Sequence, residues 1–137
     1  MRHRLSIAVA FTVLTMLPAA GTAAKIIEPH MPGWERFFRI EWEPGEWRGR
    51  PVVQGYLYNT SPKTIGSVQL LVDALDASGG ILGQKVSWVP GSVMAPFDRR
   101  YFVADVPLVQ IAPQQPASYR VRVYSYSEIL GPRDRLF

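Results

Sequence analysis

The chain contains no cysteine and only two histidines. Without cysteine it has no disulfide framework and no thiol for lipidation, so a folded domain must be stabilised by packing alone. His30 is the only histidine beyond the first few residues, and a Ser-His-acid triad would depend on it. Because His30 lies in a loosely patterned segment that offers little rigid support, we expect no such triad.

An excess of charge of one sign is also missing. The 15 Lys and Arg exceed the 11 Asp and Glu by only a small margin, and two of the basic residues, Arg2 and Arg4, belong to the N-terminal segment. The imbalance that remains is too small to indicate a nucleic acid or another polyanion as partner.

The first 24 residues have the order of a secretory signal peptide. Two arginines precede an uncharged apolar run over residues 5–17, and a small-residue stretch follows it. We expect cleavage after Ala24 or after Ala23. The apolar run is shorter than the roughly 20 residues of a membrane-spanning helix, so we expect no stable membrane insertion after cleavage. The sequence therefore predicts export from a bacterium, to the periplasm or the extracellular space.

The rest of the chain has the length of a single domain. Residues 25–36 predict an irregular lead-in with two prolines, and residues 37–137 predict a β-sandwich domain. Alternation of apolar and polar residues predicts strands, and the tail after Glu128 either adds a short seventh strand or frays. The six predicted strands are Phe37–Trp42, Val52–Asn59, Val68–Asp76, Ile81–Val89, Arg99–Val106 and Tyr119–Tyr126.

Turn signals separate these segments. Pro44-Gly45 predicts a chain reversal, because proline presets φ and glycine accepts positive φ. Gly55 inside the second strand predicts a bulge or a close backbone approach. About seven short strands at intervals near ten residues are typical of an all-β, immunoglobulin- or fibronectin-III-like antiparallel β-sandwich. Tyr119 resembles a tyrosine corner, in which the hydroxyl bonds back to the preceding loop, so we expect it to be structural.

Three segments carry a resemblance to a known family. They run from Gly55 to Ser61, from Val68 to Gly79 and from Val93 to Phe97, and together they resemble the FxLYD domain of exported bacterial and archaeal proteins. The motif that names the family aligns with residues 72–76, of which only Asp76 keeps the pattern. The resemblance implies an immunoglobulin-type sandwich in an exported protein, and it implies no catalytic residue.

The sixth predicted strand offers the candidate contact surface. If Tyr119 and its alternate neighbours face the core, a ridge of guanidinium and aromatic groups faces solvent, as in many recognition surfaces. A strand that merely covers a solvated sheet is the simpler interpretation of these residue types. Exposure of Leu71 and Leu75 beside this strand would favour a protein partner. The predicted partner-binding residues are Arg120, Arg122, Tyr124 and Tyr126.

Copper handling is one alternative function. His30 and Met31 are adjacent and Met94 lies in another predicted loop, and these are soft ligands that suit Cu(I). Three residues without a recurrent spacing carry little weight, and Met94 fits a loop residue tucked onto the core equally well.

A small carboxylate-dependent hydrolase is a second alternative. Glu41, Glu43 and Glu46 cluster around the predicted Pro44-Gly45 turn, where paired acids suit glycosidase-type chemistry. A solvated hairpin tip explains these acids more simply. We therefore predict a non-catalytic, exported immunoglobulin-like domain without a cofactor, which acts by binding a protein partner in the bacterial cell envelope.

Overall fold

The computed structural model describes residues 25–91, 93–108 and 115–130. Within these ranges, seven antiparallel strands form two sheets, of three and four strands. This confirms the all-β sandwich predicted from the alternating pattern. Residues 129 and 130, where a strand after Glu128 would begin, are not in a strand, and the rest of the tail lies outside the described residues. The strands are β1 (Phe38–Trp47), β2 (Arg50–Asn59), β3 (Ile65–Leu75), β4 (Ile81–Trp88), β5 (Val93–Met94), β6 (Arg99–Asp105) and β7 (Ser118–Glu128).

The three-stranded sheet has the order β1-β2-β6, and its first hairpin differs from the prediction. Pro44 and Gly45 lie inside β1, where Pro44 is the register partner of Val53. The chain reverses instead at Arg48 and Gly49, whose φ angles are 51° and 75°. Two central residues with positive φ make a turn whose twist matches that of the flanking strands. The predicted turn at Pro44-Gly45 is therefore wrong, because the reversal lies four residues further along the chain.

Strand β2 is the middle strand of this sheet, and its Gly55 pairs with Trp42 of β1. A Cβ atom added at Gly55 would lie 1.9 Å from the backbone oxygen of Glu41, which no side chain tolerates. The predicted close backbone approach is thus confirmed. Sequence reasoning recognised it because a glycine inside a strand has few other uses.

The four-stranded sheet is built around β3. Strands β4 and β5 pair with one edge of β3, and β7 pairs with the other edge. The turn between β3 and β4 closes on Asp76, whose Oδ1 accepts hydrogen bonds from the Ser78 backbone, the Ser78 hydroxyl and the Gly80 backbone. The Ser78 hydroxyl bond, followed by the Gly80 backbone bond, lowers the pKa of Asp76 below its ordinary value.

The hydrophobic core lies between the sheets, and both contribute to it. The core residues of β3 include Val68, Leu70 and Val72, which lie on its more regularly apolar face. Tyr119 packs against this core, but residues 109–114, which include part of the loop expected to accept its hydroxyl bond, lie outside the described residues. The most deeply buried core residues include Val53, Leu57 and Phe102 from the three-stranded sheet and Ile65, Leu70, Val72 and Val123 from the four-stranded sheet.

Candidate binding surface

The two arginines of the predicted ridge on β7 form hydrogen bonds with a buried carboxylate. Asp73 lies on the outer side of β3, opposite Arg120, yet it is 0% exposed. Its Oδ2 accepts hydrogen bonds of 2.8 Å from Nε of Arg120 and from Nη2 of Arg122. Its Oδ1 accepts a 2.8 Å bond from Nε2 of Gln84 on β4. Both guanidinium groups of the predicted ridge therefore neutralise Asp73.

The N-terminal lead-in covers this outer face. The backbone N–H of Ile27 donates to Oε1 of Gln84 at 2.7 Å, and Nε2 of Gln84 donates to the Ile27 carbonyl at 2.9 Å. The backbone N–H of His30 donates to the Tyr124 carbonyl at 2.8 Å. A segment held at β4 and at β7 passes across β3 between them. Leu71 on that strand is 0% exposed, so the predicted apolar exposure at Leu71 is wrong.

The other half of the predicted ridge is divided by a bulge. Leu70 pairs with Val123 and Gln69 pairs with Ser125, so Tyr124 is an extra residue on β7. A bulge reverses which side the following residues face. Tyr126 accordingly turns inward, where its ring lies 4.9 Å from that of Phe38.

This inward position changes the environment of the Tyr126 hydroxyl. Burial, and then the nearby Glu128 carboxylate, raise the pKa of Tyr126 above its ordinary value. Tyr124 remains on the other side, with its ring 4.3 Å from that of His30. The four predicted contact residues therefore do not form one exposed ridge. Only Arg120 among them keeps as much as 44% of its side chain exposed.

Several residues of the two alternative functions have other contacts in the fold. His30 Nε2 is hydrogen-bonded to the Tyr124 hydroxyl at 2.9 Å, while Met94 is a core residue. The three acids Glu41, Glu43 and Glu46 all lie within strand β1 and not at the predicted turn. Glu41 pairs with Arg39, and Glu41 and Glu43 line one groove on the outer face of the sheet. Within the described ranges, no group of three or more His, Cys, Asp or Glu residues is arranged to hold a metal ion.

A different surface stands out on the opposite side of the sandwich. The outer face of the three-stranded sheet carries three tyrosines, and no segment crosses it in the part of the chain that the structure describes. We call this surface the tyrosine face. Its members stand in three rows across the strands, which are Arg39–Tyr58–Arg99, Glu41–Tyr56–Tyr101 and Glu43–Gln54–Val103.

Tyr56 is the centre of the tyrosine face. Its ring lies 5.3 Å from that of Tyr101, edge to face, and 6.2 Å from that of Tyr58. The guanidinium of Arg99 lies 4.7 Å from the Tyr56 ring centroid, and that of Arg39 lies 4.2 Å from the Tyr58 ring centroid. Cations therefore sit over two of the three rings. Tyr101 is 45% exposed, and beside it runs a shallow groove of about 280 Å³.

Sequence reasoning missed this face. Tyr56 and Tyr58 are two positions apart, as are Arg99, Tyr101 and Val103 in turn, so each set lies on one side of its own strand. What the pattern does not contain is the pairing of β2 with β6, which brings residues more than 40 positions apart into one row.

Comparison with known proteins adds no family to this description. No family model matches the chain, and neither a curated protein nor a solved structure does. No helix among the described residues is long and apolar enough to cross a membrane.

Proposed function

We propose that this protein is an exported, non-catalytic immunoglobulin-like module that binds a protein partner in the bacterial cell envelope, with the tyrosine face as its contact surface. The observation that carries the proposal is the contrast between the two outer faces. One face is covered by the lead-in, and its arginines are bonded to Asp73. The other face presents tyrosine and arginine side chains to solvent. Such residues dominate the binding energy of protein interfaces.

The arrangement of the rings favours a protein over a glycan. A sugar that stacks on tyrosine needs a free ring face, and guanidinium groups lie over the rings of Tyr56 and Tyr58. Arginine stacked on tyrosine is instead well suited to a protein surface, because the guanidinium keeps its outward N–H groups free for carboxylates and carbonyls.

Export and family relationship belong to the proposal as well. The order of charged, apolar and small residues in the first 24 positions supports secretion to the periplasm or beyond. The resemblance to the FxLYD domain supports the same compartment. The absence of cysteine is compatible with an oxidising compartment, since no thiol is at risk there.

Capture from envelope extract tests the proposal. The mature domain is immobilised as the parent, as Tyr56→Ser/Tyr101→Ser, and as Tyr124→Ser. The third variant is the matched control, because Tyr124 lies on the other sheet and belongs to the predicted ridge. Circular dichroism establishes that all three are folded.

We expect the parent and Tyr124→Ser to retain the same protein, and the double variant to lose at least nine-tenths of it. Equal recovery by the double variant would remove the tyrosine face from the proposal. Selective loss with Tyr124→Ser would return the contact to the residues predicted from sequence.

A further inference from the structure

Two charges on the tyrosine face have no ion-pair partner among the described residues. They are Glu43 and Arg99, and they occupy opposite corners of the face. The remaining two charges of the face, Arg39 and Glu41, pair with each other. The face is therefore neutral in sum, with one free positive corner and one free negative corner.

From this pattern we infer that the partner of the tyrosine face is a second copy of this chain, bound so that Arg99 of each copy meets Glu43 of the other. The inference rests on the proposed function, since it assumes that this face binds a protein. In a two-fold symmetric interface, a contact from residue i to residue j is always accompanied by one from j to i. Because each copy carries one Arg99 and one Glu43, the interface contains two such ion pairs.

The rows and strands define the axis that makes this contact. A two-fold axis in the interface, running along the diagonal from Arg39 through Tyr56 to Val103, exchanges the Arg99 and Glu43 corners. It also brings the Tyr56 positions of the two copies together at the axis, where each ring keeps the Arg99 guanidinium of its own copy against it. The strands of the two sheets then cross at near right angles, which is one of the two common ways in which sheets pack face to face.

Size limits the strength of this pair. Three strands of five residues span about 14 by 17 Å, from ordinary strand spacing and rise. The area of a face of this size is well below the roughly 800 Å² that each partner contributes to a standard interface. We therefore expect a reversible dimer with a dissociation constant between about 10 µM and 1 mM, which forms where the protein is concentrated.

Charge exchange tests the inference without any unidentified partner. Sedimentation velocity is measured over about 10 µM to 1 mM, the expected range of the dissociation constant, on the mature parent, on Glu43→Arg, on Arg99→Glu and on an equimolar mixture of the two variants. Each variant places like charges at both contacts, so self-association falls at least tenfold. In the mixture every contact again joins opposite charges, so a dimer containing one copy of each variant forms. Glu35 lies in the lead-in and lines a hollow with Arg122 on the other side of the sandwich, so Glu35→Arg makes the same charge change away from the face and leaves the parent's association unchanged.

Two results would overturn the inference. One is a parent that stays monomeric to 1 mM. The other is a mixture that associates no better than either variant alone. If the parent is monomeric but Tyr56→Ser/Tyr101→Ser still loses its envelope partner, the proposed function stands and the partner is a different protein. If the double variant also keeps its partner, the proposed function fails too.

Discussion

At the scale of single residues, Asp73 shows how a polar residue on the outer side of a sheet becomes part of the interior. Its carboxylate is removed from water by the lead-in, and its two oxygens accept bonds from Arg120, Arg122 and Gln84. A buried carboxylate is tolerated only with such partners, because desolvation otherwise outweighs what packing contributes. The carboxylate also connects all three long strands of its sheet, since these partners lie on β4 and β7.

We predict that Asp73→Asn lowers the free energy of unfolding by about 2–4 kcal/mol, because two guanidinium groups then face a neutral amide. Part of the cost of breaking a buried pair is avoided, since Arg120 still reaches solvent. Urea denaturation measures the change. Asp105→Asn is the matched control, because Asp105 also has two cations, Arg50 and Lys85, but keeps 33% of its side chain exposed.

The control change is expected to cost no more than about 1 kcal/mol, as is usual for exposed ion pairs. Equal losses in the two variants would show that burial adds nothing to the role of Asp73. In that case its contacts would be ordinary surface ion pairs.

At the scale of elements, the β1–β2 hairpin shows that strand pairing, and not the local sequence pattern, decides where the turn lies. Pro44-Gly45 has the composition of a turn, but β1 is an edge strand, and an edge strand accommodates proline without losing a ladder bond. Continuing β1 past Pro44 adds further partners on β2, up to the pair Trp47 and Arg50. The turn then falls on Arg48-Gly49, although arginine rarely adopts positive φ.

Two alanine substitutions distinguish the observed turn from the predicted one. Gly49→Ala places a side chain at φ 75°, which costs about 1–2 kcal/mol of stability. Gly45→Ala meets only the flexible end of the Gln54 side chain and costs less than about 1 kcal/mol. Thermal and urea unfolding of both variants give the comparison. A larger loss at Gly45 than at Gly49 would place the reversal at Pro44-Gly45 after all.

Alternation also predicted most strands to within a few residues, because it is a local property of each segment. The bulge at Tyr124 could not be predicted from the sequence, since it depends on how β3 and β7 pair. It matters because it sends Tyr126 to the core and ends the predicted ridge. The tyrosine face was hidden for the same reason, as its rows require the register of β2 with β6.

At the scale of the whole molecule, the two outer faces of the sandwich differ in how far they are covered. The lead-in, which the sequence marks only as irregular, bonds to Gln84 and Tyr124 and covers one face. The other face, with Tyr56 and Tyr101 exchanging an edge-to-face contact, is not covered by any described segment. The sandwich itself could be predicted from composition and pattern. Which of its faces is open could not, because the path of an irregular segment leaves no periodic signal.

This architecture also predicts how stability is distributed. Strand β3 has neighbours on both edges and β2 lies between β1 and β6, whereas β1, β4 and β6 each have one open edge along the described residues. Amides of β3 and β2 that bond to neighbouring strands can exchange only when the whole sandwich opens, so their hydrogen exchange should report the full free energy of unfolding. Edge strands should exchange through smaller openings. Hydrogen-exchange mass spectrometry on the folded protein measures the order. If β3 exchanged as fast as β4, the four-stranded sheet would open independently of the rest, and the two sheets would not form a single cooperative unit.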